Sequence, residues 1–404
     1  MRSRRLRTRA VATAVTLALL VLGSGQAFAH TAEPPSPPQY TAVDLGTLGG
    51  SGSRGVALDR DTVVGNSETA AGGTDWHAFA YDRSTHVMTD LGTLGGSSSS
   101  AVAVQGRYVI GNATLADGNR RGFVYDLRTG HMRALGTFGG TDSQVRAISG
   151  HIVVGEARTP GNQSTHAFVY DIRTDVMTDL GTPAGPAGVS SPIGISQGRF
   201  VAGTWNVPGA MYDGGQPFVY DLRTRVMTDV GAHGGVYSKA TSFNGHTIVG
   251  ITQPKPSSDT GELPPTHGFA YDIRTRTWTD LGAQMSYQPL VTGHTVVASN
   301  RPAAYAYDLN TQTMTPFGPG PGRTGIDGVG GQFVVGEAFP GPYCYVYRID
   351  TRRLTQLPTL GGLYATAGDV DRHGSVTGSS ATAATDPSTP NGPYHATLWT
   401  LSST

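Results

Sequence analysis

The chain has 404 residues, 29 basic and 29 acidic; its charged fraction of 14% is far below the usual quarter, and its 57 glycines are about twice the ordinary share. Such a chain is rich in turns and short strands and poor in helix, and its single cysteine, Cys344, excludes an intrachain disulfide. Beyond residue 29 the balance is (29 − 5) − 29 = −5 with no basic run, which excludes the clustered cationic face that nucleic acid or an anionic membrane requires.

Residues 1–29 read as an export signal. Arg2, Arg4, Arg5, Arg7 and Arg9 precede an uncharged apolar run from Ala10 to Leu22, and Ala27-Phe28-Ala29 supplies an A-x-A cleavage site. The run is shorter than the roughly 20 apolar residues of a transmembrane helix, so no membrane span is expected after cleavage, and the product is expected to be secreted. Residues 30–39, with four prolines, form a Pro-rich disordered leader.

From residue 40 three phrases recur in fixed order. An apolar triplet ending in Gly stands at Val63-Val64-Gly65, Val109-Ile110-Gly111, Val153-Val154-Gly155 and five later places, with Ala298 replacing one glycine. An aromatic strand ending in Tyr-Asp follows, as in Phe79-Ala80-Tyr81-Asp82 and Phe168-Val169-Tyr170-Asp171, with degenerate copies at 345–348 and 397–400. The third phrase, DLGTLGG in its fullest form, begins at Asp44 and Asp90 and weakens later. The aromatic anchors from Tyr81 to Trp399 are 36 to 52 residues apart, a blade-like period without the 3.6-residue pattern of helical repeats.

Each unit supplies four strands: a small-residue inner strand, the triplet, the Tyr-Asp strand and an outer strand such as Val87 to Leu91. The first unit begins with an outer strand, Thr41 to Leu45, and the last ends with an aromatic strand, His395 to Leu401. Joined, they complete an eighth unit. Residues 40–404 are therefore predicted to form one all-β domain, an eight-bladed β-propeller of four-stranded blades closed by pairing of its N- and C-terminal strands. Small residues before each aromatic (Ala78, Gly122, Ala167) would let neighbouring blades interlock, and the Met column (Met88, Met132, Met177, Met227, Met314) reads as core filler.

The phrases resemble the HAF-repeat family of probable extracellular proteins, whose His-Ala-Phe stands here as His77-Ala78-Phe79 and His166-Ala167-Phe168, with DLGTLGG matching as well. The resemblance spans Tyr40 to Leu401 and implies an exported repeat protein without implying a catalytic residue. A looser, kelch-like similarity lies in Gly250, Tyr271-Asp272 and Trp278.

The repeated histidines 77, 166, 267 and 395 fall in different blades, too dispersed for one metal, and read as strand caps. Cys344 occupies an Ala/Gly column and reads as a buried, inert thiol. No P-loop, H-E-x-x-H, G-x-S-x-G or dinucleotide fingerprint sits in a suitable context, so no catalytic residue, cofactor or metal is assigned. Long loops join second to third strands on one rim, where Trp76, Trp205, Tyr212, Tyr237, Tyr343, Tyr364 and Tyr394 are candidate ligand contacts. One inner-strand column reads Val56, Val102, Arg146, Gly194, Thr241, Pro289, Asp327 and Asp369, which makes Arg146, Asp327 and Asp369 candidate polar groups of the channel. The expected function is that of a monomeric, non-enzymatic binding or scaffold module for an extracellular glycan, cell-wall component or protein. The alternative is a secreted hydrolase or lyase using Asp327 and Asp369 at the channel mouth.

Overall fold

The computed structural model describes residues 39–402, apart from 71, 207–214, 257–261, 263, 301, 321, 340–342 and 384–391. The expected signal and nearly all of the leader lie outside them. The described residues form eight antiparallel sheets, and the inner strands touch one another in ring order until Gly361–Val370 meets Ser53–Asp59. We number the blades 1–8 from Ser53. Among the described residues, helix is confined to the short 3-10 turns Pro160–Asn162 and Ala283–Met285, and no helix is long and apolar enough to cross a membrane.

Blade 8 closes the ring. Its inner three strands, Gly361–Val370, Val376–Thr382 and Tyr394–Leu401, come from the end of the chain, and its outer strand is Tyr40–Asp44, paired from Tyr40 with Leu401 to Asp44 with Thr397.

The apolar triplet forms the second strand of each blade, with Val63, Val109, Val153, Val201, Ile248, Val296, Val334 and Val376 all fully buried. The third strand lays Phe79, Phe123, Phe168, Phe218 and Phe269, also fully buried, across the triplet glycine. A Cβ on Gly155 would stand 2.5 Å from the Phe168 ring and 2.1 Å from the Gln144 carbonyl oxygen of the inner strand, so the aromatic requires the glycine. Blade 6 carries Ala298 there, and its inner-strand register shifts over the stretch Tyr287 to Leu290.

The His and Asp of the two longer phrases are one device. His77 Nδ1 lies 2.8 Å from the Asp90 carboxylate, which also accepts from the Gly92 amide at 2.7 Å. The pair recurs as His166–Asp179, His267–Asp280 and, across the closure, His395–Asp44, each at 2.9 Å. It ties the start of the third strand to the turn that leaves the blade.

Two side chains staple each regular seam. Ser99 Oγ accepts from the Ala78 amide of the preceding blade at 2.8 Å and donates to the Gly92 carbonyl at 2.6 Å. Asn66 Oδ1 accepts from the Ala101 amide of the following blade, and Asn112 from that of Val145. In the blade 3–4 seam the corresponding position is Pro192, which has no N–H to give. Glu156, in the Asn column, turns instead to Arg146, at 2.6 Å.

Candidate functional site

The inner strand bulges at one column in most blades, between Gly55 and Ala57, Ala101 and Ala103, Val145 and Ala147, Pro192 and Gly194, Ala240 and Ser242, and Ala367 and Asp369. The true column is thus Val56, Val102, Arg146, Ile193, Thr241, Pro289, Asp327 and Gly368. Gly194 and Asp369 belong one position on, a correction of one residue that the bulge itself explains. In blade 7 the inner strand is broken into Arg323–Thr324 and Gly328–Gly330, with Asp327 in the gap.

Asp327 and Asp369 consequently occupy different seams. Asp369 faces blade 1, its carboxylate accepting from the Leu58 amide at 3.3 Å and its own neighbour Val370 at 2.9 Å. Burial outweighs these donors and pushes its carboxyl up to about 6. Asp327 lines a cleft of about 160 Å³ between blades 6 and 7, whose lining includes Tyr287, Ser299, Arg323, Glu337 and Phe339. Its side chain reaches water, yet the surrounding protein crowds it, and this desolvation, with Glu337 nearby, raises it to about 7. Glu337 is raised by burial too. Burial above all, and after it the same two carboxylates, pushes the Cys344 thiol far above its ordinary range.

A pH signature follows. An aspartate that ionises near pH 4 when unfolded and near 7 when folded binds more protons in the folded chain between those values. The stability it contributes is full below about pH 4 and is lost as pH rises through about 7. Asp327→Asn is expected to reduce the fall of melting temperature across that window, leaving the part that Asp369 contributes; an unchanged slope would rule out a protonated Asp327.

The second strands end, and the inner and third strands begin, on one rim. Among the described residues, Val236, Tyr287, Phe339, Leu363, Tyr364 and Tyr394 are its exposed large apolar side chains, and the last five belong to consecutive blades 6–8. Tyr287 is 52% exposed, Tyr364 42% and Tyr394 40%. Of the other sequence candidates, Trp76 and Tyr237 are half-buried. Trp205 is buried and its indole N–H donates to Asp229 at 3.1 Å, a packing role in blade 4, which lacks the histidine. Tyr212 and the Tyr343 side chain lie outside the described residues. A second cleft of about 380 Å³, lined by Thr266, Ala283, Ser286 and Asn300, lies on the other side of Tyr287.

Sequence reading missed Tyr287, Phe339 and Glu337. The signal for Phe339 was present: its column holds Glu68, Thr114, Arg158, Asn206 and Gln253 in other blades, so an aromatic there has no repeat role.

No protein-family model and no curated protein matches the chain. Its structure is similar to the Dos1 propeller (TM-score 0.57, 11% identity, 90% of this chain and 95% of that one). It is also similar to Porphyromonas gingivalis dipeptidyl peptidase 4 (0.56, 11%, 87% and 57%) and to a prolyl endopeptidase (0.54, 12%, 76% and 48%), so the chain spans about half the length of these two peptidases. At such identities the likeness concerns fold alone, and it agrees with the sheet order: the chain is an eight-bladed β-propeller module.

Proposed function

We propose that the chain is a secreted, non-enzymatic member of the HAF-repeat class whose loop-rich rim over blades 6–8 binds an extracellular carbohydrate. One observation carries this reading, the concentration of exposed Tyr287, Phe339, Tyr364 and Tyr394 on three adjacent blades, beside clefts offering Asn300, Ser299, Thr266 and carboxylates. Flat aromatic faces take the C–H side of a sugar ring, and neighbouring amides, hydroxyls and carboxylates take its hydroxyl groups. The signal-like residues 1–29 and the phrase resemblance support export.

Tyr287→Ala and the double variant Tyr364→Ala/Tyr394→Ala are each expected to weaken glycan binding roughly tenfold or more, since an aromatic contact is worth about 1 kcal/mol beyond its buried area. Glycan-array titration of folded variants measures this. Silence of the wild-type array, with capture of a protein ligand sensitive to the same substitutions, would replace the carbohydrate by a protein partner.

The hydrolase reading with Asp327 and Asp369 loses support, because the two serve different seams. What favours a hydrolase at all is the pairing of Asp327 with Glu337 in one cleft. Turnover of an arrayed polysaccharide that Asp327→Asn abolishes would establish it.

A further inference from the structure

The cleft between blades 6 and 7 exists because two consecutive units break the repeat. In blade 6, Ala298 displaces the triplet glycine and Pro289 removes an amide from the inner strand; in blade 7 the inner strand is interrupted at 325–327. Tyr345 Oη, donating to the Gly325 carbonyl at 2.7 Å, and the Glu337 carbonyl, accepting from the Gly325 amide at 2.7 Å, fix the interruption. The opening holds roughly the volume of five waters. Tyr287 and Phe339 are among its walls.

What the cleft offers is read best against blade 3. The columns of Asp327 and Glu337 are those of Arg146 and Glu156, whose 2.6 Å contact shows that these positions place a cation and a carboxylate together. Elsewhere the two columns hold Val56 with Asn66, Val102 with Asn112, Ile193 with Thr204 and Thr241 with Ile251, none of them acidic. Blade 7 keeps the glutamate and exchanges the arginine for aspartate. Neither carboxylate forms an ion pair among the described residues; Arg323 also lines the cleft, but its guanidinium stands over the Phe339 ring at 6.0 Å. Nor is Glu337 used as a seam staple: among the described residues it has no hydrogen bond to the Ala367 amide, which stands where Ala101 meets Asn66. No third His, Cys, Asp or Glu joins the pair to form a metal-ligating group among the described residues, whereas Ca²⁺ takes six to eight oxygens.

We infer that this aromatic-walled cleft receives a primary ammonium group, and that the carbohydrate of the rim is an amino sugar with its amine free. The inference rests on the carbohydrate reading of the rim. A ligand ammonium supplies the positive charge that Arg146 supplies in blade 3, and its three N–H donors meet the carboxylates.

The test compares a glucosamine oligomer with its N-acetylated counterpart by calorimetry near neutral pH. The free amine is expected to bind at least tenfold more tightly, and Asp327→Asn/Glu337→Gln to remove that preference without weakening the acetylated oligomer. Equal binding of both oligomers, or a preference that survives the double variant, overturns the inference and leaves the carbohydrate reading standing. If neither oligomer binds, the carbohydrate reading fails, and methylammonium titrated against the carbon-13 carboxyl signals of Asp327 and Glu337 decides the cleft alone. Shifts there uphold an ammonium site; their absence removes it.

Discussion

Removal of Tyr40–Asp44 is expected to abolish the monomeric folded state. These five residues cover the edge of Tyr394–Leu401, bury Tyr40, and supply the Asp44 carboxylate to His395. Several backbone hydrogen bonds at about 1 kcal/mol each and one aromatic burial of about 1.5–3 kcal/mol sum to roughly 5 kcal/mol or more. A whole domain is stable by only about 5–15 kcal/mol. The uncovered strand would also present an unpaired edge next to the buried Leu398 and Trp399, a template for association. Size-exclusion chromatography and thermal melting should show aggregation or loss of the cooperative transition, with partial recovery when a peptide of residues 39–45 is added. A truncated chain that stays monomeric with an unchanged melt would mean that the strand pairing is dispensable.

The ring was legible because it follows from counting phrases and matching two incomplete ends, neither of which needs side-chain geometry. The His–Asp device was legible too, though only in the joint pattern. Where the His position holds Arg121, Ala303 or Tyr343, the Asp position holds Ala134, Pro316 or Gln356, and where His77, His166, His267 or His395 stands, its aspartate is present. Blade 4 departs from both, keeping Asp229 beside Gln216, and recruits the Trp205 indole for it. That use withdraws from the rim an aromatic that sequence reasoning placed there.

The site was harder to read because it is made by exceptions. A bulge adds one residue to the inner strand, so a column counted by eye slips by one in blades 4 and 8, and Asp369 is taken for the ring-mate of Asp327. The neighbour that matters, Glu337, sits in a column where Asn66 and Asn112 are structural staples. Only knowledge of which amide each staple accepts shows that Glu337 is not among them in the described residues.

The closing blade also solves a packing problem of its own, and Trp399 carries it. In blades 1–4 a third-strand tyrosine faces an outer-strand methionine, as Tyr81 faces Met88 and Tyr170 faces Met177. Across the closure the pair is Trp399 with Ala42, a larger ring against a smaller partner. Trp399 is fully buried, and its indole N–H donates to the Pro358 carbonyl at 2.7 Å. Trp399→Ala is therefore expected to cost about 3–5 kcal/mol, through lost apolar contact and the cavity left behind. If the exchange of volumes is the reason for tryptophan, then Trp399→Tyr and Ala42→Met should each destabilise, the second by about 1–3 kcal/mol of overpacking. Combined, they restore the tyrosine–methionine pair of blades 1–4, and the double variant should be at least about 1 kcal/mol more stable than the sum of the single costs, within the coupling range of contacting residues. Strict additivity in denaturant titrations would show that Trp399 acts through its hydrogen bond to Pro358 alone, and that the strand closing the ring tolerates whatever stands opposite it.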